Sequence, residues 1–83
     1  MIEQDWMEVF RLMVIDKLKG LVDEVGVSER ESDGFTLKIL YRKGEASRAA
    51  SIIVMRDAVV CMERRAGLLG HIESTIRYDL EAA

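Results

Sequence analysis

The chain reads as a small α+β domain in the order helix, three-stranded antiparallel meander, helix (αβββα), with the helices in a single layer on one sheet face. Three observations lead there. Residues Phe35-Thr-Leu-Lys-Ile-Leu-Tyr-Arg42 alternate apolar and polar side chains with a period of two, broken only by Leu40, as a half-buried strand does. A long apolar-striped segment precedes this strand and a shorter one follows it, both at the three- and four-residue steps of a helix. At 83 residues there is room for one domain, 1–83, and no more.

The first helix is predicted over residues 3 to about 25. Trp6, Phe10, Met13, Val14, Leu18, Leu21 and Val25 share one face, and Asp5, Glu8, Asp16, Lys19 and Asp23 cluster opposite. Glu3, Gln4 and Asp5 suit the positive end of the helix dipole, and Gly26 supplies a C-terminal stop. Gly20 inside the pattern costs roughly 1 kcal/mol against alanine, so it is a candidate break. Leu12 falls near the centre of the polar face and Ile15 on its edge, which makes both candidates for a contact with a partner. Ser28-Glu-Arg-Glu-Ser-Asp-Gly34 is too polar to pack and reads as a linker.

After the strand at 35–42, Lys43-Gly44-Glu45 reads as a turn. Arg48 to Glu63 then admits two readings. Ile52, Ile53, Val54, Val59 and Val60 favour two more strands, with Arg56-Asp57 as the turn between them. Alternatively, a helix starts at Ala58 with Asp57 as its N-cap, the last strand is lost, and the order becomes αββα. Ala66-Gly67 and Gly70 interrupt the chain before a last helix from Leu68 or Leu69, striped by Leu69, Ile72, Ile76 and Leu80 and fraying at Ala82-Ala83.

The net charge of −3 hides an asymmetry. Residues 1–34 hold nine acids against four bases (−5), residues 35–66 seven bases against three acids (+4), and residues 67–83 three acids against one base (−2). An acidic helix beside a basic sheet favours packing of one on the other, or pairing between subunits. A nucleic-acid partner is disfavoured, because Phe35 and Tyr41 lie on the strand face opposite Lys38 and Arg42, leaving no stacking platform beside the cations. Apolar runs such as Leu12 to Ile15 and Ala58 to Met62 fall far below the roughly 20 residues of a membrane span. Glu3 and Asp5 stand where a secretory signal carries bases, and the single thiol suits a reducing compartment, so the cytoplasm is expected.

Motifs for chemistry are scarce. Cys61 and His71 are the one pair resembling a nucleophile and base, but Val59, Val60 and Met62 surround the cysteine with apolar side chains, so it is expected buried and unreactive. His71 with Glu73 makes half a metal site at most, and no cofactor is implied. Gly67 and Gly70 form G-x-x-G without a phosphate-loop context and read as helix-start geometry. Trp6, Met7 and Met13 could line a pliable groove, although core packing is their ordinary use.

What remains is a non-enzymatic protein–protein interaction module, expected to be a homodimer. A chain this short buries a modest core, and one cysteine closes no internal disulfide. The candidate interface is the sheet face away from the helices, with Leu40, Ile52 and Val54 at its centre and Lys38, Arg42 and Arg56 as a cationic rim; Leu12 and Ile15 are the second candidate. The rival function is a small acidic inhibitor or regulatory adaptor, of the phage or mobile-element kind, that occupies a basic site on a target protein.

Overall fold

The computed structural model describes residues Asp5 to Ala82; the helix-start residues Glu3 and Gln4, and Ala83 at the fraying end, lie outside the described residues. Helix α1 spans Trp6–Lys17. Asp5 caps it, its carboxylate accepting from the backbone N–H groups of Met7 (3.0 Å) and Glu8 (3.3 Å), which would otherwise lack partners. Met7, Phe10 and Val14 form its buried stripe, and Leu18 continues that stripe past the helix end.

The helix stops well short of Val25. The chain turns at Gly20, whose φ of +83° is open to glycine and strained for other residues, and the N–H of Leu21 folds back onto the carbonyl of Leu18. Beyond the turn, Val25 and Val27 alternate with Glu24, Gly26 and Ser28 in strand β1, Glu24–Ser28. Part of the expected linker is therefore strand. Strand β2, Gly34–Lys43, and strand β3, Ala46–Met55, follow as a hairpin around Gly44-Glu45. Gly44 has φ +61°, as a two-residue II′ turn requires at its first central position. Both pairings are antiparallel and the sheet order is β1-β2-β3.

The chain is helical again at once: α2 is Arg56–Val60 and α3 is Met62–Glu81, separated by an extended Cys61. The expected order of helix, three antiparallel strands and C-terminal helix is the one observed. The third strand, however, is β1 and not the stretch after Arg56. Helix from Ala58 onward is what the alternative reading held, although Asp57 lies in the first turn of α2 and Met55 occupies the cap position. Gly67 and Gly70 sit inside α3, not at its start.

One face of the sheet makes the core. Phe35, Leu37, Ile39 and Tyr41 of β2, with Val25 of β1 and Val54 of β3, are buried together with Met7, Phe10, Val14 and Leu18, Val59 of α2, and Ile72 and Ile76 of α3. The Phe35 ring lies edge-on to both Trp6 (centroids 5.6 Å apart) and Phe10 (6.4 Å), fixing the start of α1 over the start of β2. At the other end Asp79 of α3 gathers the hairpin. It accepts a 2.7 Å hydrogen bond from the Tyr41 hydroxyl and pairs with Arg48 (3.4 Å) and Lys43 (3.7 Å). The Tyr41 hydrogen bond holds the Asp79 carboxyl below its ordinary range; desolvation, the next largest effect, opposes it, and the charges of Arg48 and Lys43 add to the lowering. The same hydrogen bond, aided by burial, raises the Tyr41 hydroxyl above its ordinary value.

Two predictions follow from this packing. Leu37 is fully buried at the centre of the sheet, so Leu37→Ala should lower unfolding free energy in urea by about 2–5 kcal/mol. Leu12→Ala, at an exposed position, should change it by less than about 0.5 kcal/mol. The Tyr41–Asp79 link sets a pH window. A depressed carboxyl stabilises above its unfolded value of about 3.9 and loses that as pH falls through its folded value; a raised phenol stabilises fully below about 10 and loses that as pH rises through its folded value. The melting-temperature gap between wild type and Tyr41→Phe should be flat between about pH 5 and about pH 9 and shrink on both sides. A gap unchanged at pH 3 and pH 11 would remove the link from the account.

Candidate interaction surface

Register decides which side chains the open face carries. A three-residue turn at Lys43-Gly44-Glu45 would set Arg42 opposite Ala46 and bring Leu40, Ile52 and Val54 to one face. The observed two-residue turn sets Lys43 opposite Ala46, and this one-residue slip exchanges the faces of β3 relative to β2. Ile52 now lies opposite Leu37, and Val54 opposite Phe35, both on the core face. Val54 is fully buried and Ile52 is half-buried against the core, so neither belongs to the expected patch.

The open face is built instead from Leu40, Ile53 and Met55, at 41%, 75% and 46% exposure. Leu40 sits opposite Ala49, Lys38 opposite Ser51, Thr36 opposite Ile53, and Gly34 opposite Met55. Lys38 therefore lies between the apolar groups and does not rim them. Leu40 and Ile53 are four residue steps apart along the ladder, about 13 Å. Arg42 is exposed on this face at the hairpin end, while Arg56 opens α2 and donates its backbone N–H to the Asp33 carbonyl (2.7 Å). The apolar part of the surface is thus concentrated on β3 and at its Met55 end, where exposed Val60 continues it.

The outer border of β3 is the second component. Among the described residues no strand pairs with it. Arg56 N–H bonds the Asp33 carbonyl one step beyond the Gly34–Met55 pair. Since hydrogen-bonded pairs alternate in an antiparallel ladder, the even residues of β3 bond β2 and the odd ones turn outward. Ser47, Ala49, Ser51, Ile53 and Met55 present one N–H and one C=O each to the open edge, and all five are exposed. The strand holds a single charged residue, Arg48, which pairs with Asp79. The β1 border differs: that strand is five residues long, and the Arg11 Nε donates to the Val25 carbonyl at 2.7 Å. One edge is plugged and the other is open.

The helix candidates divide. Leu12 is 53% exposed on α1, as expected, whereas Ile15 is half-buried and packs against the core. Trp6 and Met13, with Val9, Val59, Val60 and Arg65, line a groove between α1 and α2, while Met7 is buried beneath it.

Cys61 is exposed, which corrects its expected burial. It occupies the extended link before α3, and the neighbouring Val59 fills the core in its place. His71 lies midway along α3, so the ten-residue spacing becomes about 15 Å of helix and the two side chains are not brought together. Among the described residues no three His, Cys, Asp or Glu side chains cluster to hold a metal, and no helix is long and apolar enough to cross a membrane.

The β3 edge escaped detection in the sequence because its signal lies in backbone pairing. The one clue was the paucity of charge in Ala46–Met55. Comparison of the chain with protein families, with curated proteins and with solved structures finds no match.

Proposed function

We propose that this chain is a non-enzymatic protein–protein interaction module that works as a homodimer through the β3 side of its sheet. The observation that carries the reading is Ile53, 75% exposed on a strand whose outer edge has no partner among the described residues. A ten-residue edge whose five outward-turned residues carry no charge is a template for another strand, and soluble proteins ordinarily block such edges. The burial of Phe35 and Tyr41 supports excluding single-stranded nucleic acid, since neither ring is available for stacking. An exposed lone thiol at Cys61 is best tolerated in a reducing compartment, which supports the cytoplasm.

The acidic-inhibitor reading draws on the acids of α1 and the turn after it. Two of these, Asp5 and Glu8, already pair with Arg30 (3.1 Å) and Arg11 (2.7 Å) of the same chain, leaving Asp16, Asp23 and Glu24 as its exposed acidic residues. The balance favours self-association.

Sedimentation at micromolar concentration should give twice the 9.4 kDa chain mass. Ile53→Glu should move the protein to the monomer mass with its far-ultraviolet circular dichroism intact. Val54→Glu, in the core, should unfold it instead. A monomeric wild type would defeat the homodimer and leave the inhibitor reading in possession.

A further inference from the structure

We infer that two copies join β3 to β3 antiparallel across a two-fold axis at Ser51, making one six-stranded sheet with both helix layers on the same side. The inference rests on the homodimer reading and specifies its geometry.

Antiparallel pairing of an edge with its own copy places the two-fold perpendicular to the sheet. Residues opposite each other then point to the same face, so core-facing positions must meet core-facing positions. Only registers in which odd residues oppose odd residues satisfy this, and the odd residues are also the ones whose N–H and C=O groups turn outward. The edge is therefore self-complementary in both respects.

The axis can pass through any residue from Ala49 to Ile53; at Ala50 Met55 would face Glu45 in the hairpin turn, and at Ile52 Ser47 would face Asp57 in α2. At Ala49 the Ile53 side chain would face the hairpin turn and Met55 would have no neighbour. At Ile53 the first half of β3 would hang free. At Ser51 all five outward residues are used: Ser51 faces its own copy, Ala49 faces the partner's Ile53, and Ser47 faces the partner's Met55. Each large exposed side chain meets a small one, which lets the backbones close to the ordinary strand spacing of about 4.8 Å. On the other face Ala50 meets the partner's Ile52, covering two residues that their own helices leave half-exposed.

The charges agree with this edge. Arg48, the one charged residue of β3, is drawn toward Asp79 of its own α3 and away from the junction. The β1 edge cannot substitute, because Arg11 occupies the Val25 carbonyl.

Interchain disulfide formation reads the register directly. With Cys61→Ser as background, Ser51→Cys places two thiols on opposed residues about 5.5 Å apart at Cα, within disulfide reach. Mild oxidation should convert most of the protein to a covalent dimer. Ala49→Cys in the same background puts its thiols about 13 Å apart and should stay uncrosslinked. Ser51→Lys, which opposes two ammonium groups at an exposed site, should raise the dissociation constant about tenfold or more with the circular dichroism unchanged. Sedimentation of the Cys61→Ser protein separates the failures. If it is dimeric but Ser51→Cys does not crosslink, or Ala49→Cys crosslinks instead, this register is wrong while the homodimer stands. If it is monomeric at every concentration, both fall.

Discussion

The structure depends on the burial of one face of β2. Phe35, Leu37, Ile39 and Tyr41 are the residues that α1 and the C-terminal helices cover, and each fully buried large apolar side chain contributes about 1.5–3 kcal/mol. β2 is also the strand that both neighbours pair with, so it fixes their registers. The two ends of the face are held differently. Aromatic contacts among Trp6, Phe10 and Phe35 fix the α1 end, and the Asp79 cluster fixes the hairpin end. An elongated body of 47 × 23 × 18 Å results, one sheet and one helix layer thick.

A single helix layer leaves consequences on the other side of the sheet. The core face is fully covered along β2, while Val27 of β1 and Ala50 and Ile52 of β3 are half-covered at its margins, and Ile53 is bare on the open face. The chain closes its β1 border with Arg11 and a short strand, and among the described residues no comparable device covers β3. The difference between the two borders is what the proposed pairing through β3 rests on.

Much of this fold was legible in the residues, and the failures have identifiable causes. The period-two alternation of Phe35 to Arg42 set β2 and its buried face correctly, and Leu12 emerged exposed where helical geometry put it. β1 was concealed because Leu18, Leu21 and Val25 satisfy helical spacing as well as the turn and strand they form, and a five-residue strand offers only Val25 and Val27 as evidence. Val59 and Val60 carry strand propensity yet lie in α2, where burial of Val59 beside Ile72 and Ile76 outweighs it. The make-up of the open sheet face depended on one turn residue. Counting Lys43 into the turn moved Ile52 and Val54 to the wrong face, and only backbone pairing shows that Ile53 and Met55 belong there. Cys61 was misplaced for a related reason: a strand through Val59-Val-Cys-Met62 would bury it, whereas the link between two helices does not.

Residue-resolved amide hydrogen exchange at several protein concentrations reads whether the outward backbone groups of β3 find partners in a second copy. The even residues from Ala46 to Val54 bond β2 within one chain and should be protected at every concentration. The N–H groups of Ser47, Ala49, Ser51, Ile53 and Met55 should exchange freely in dilute protein and become protected as concentration rises, with Ser51 at the centre slowest. Free exchange at all five in concentrated protein, with the even residues still protected, would contradict the account.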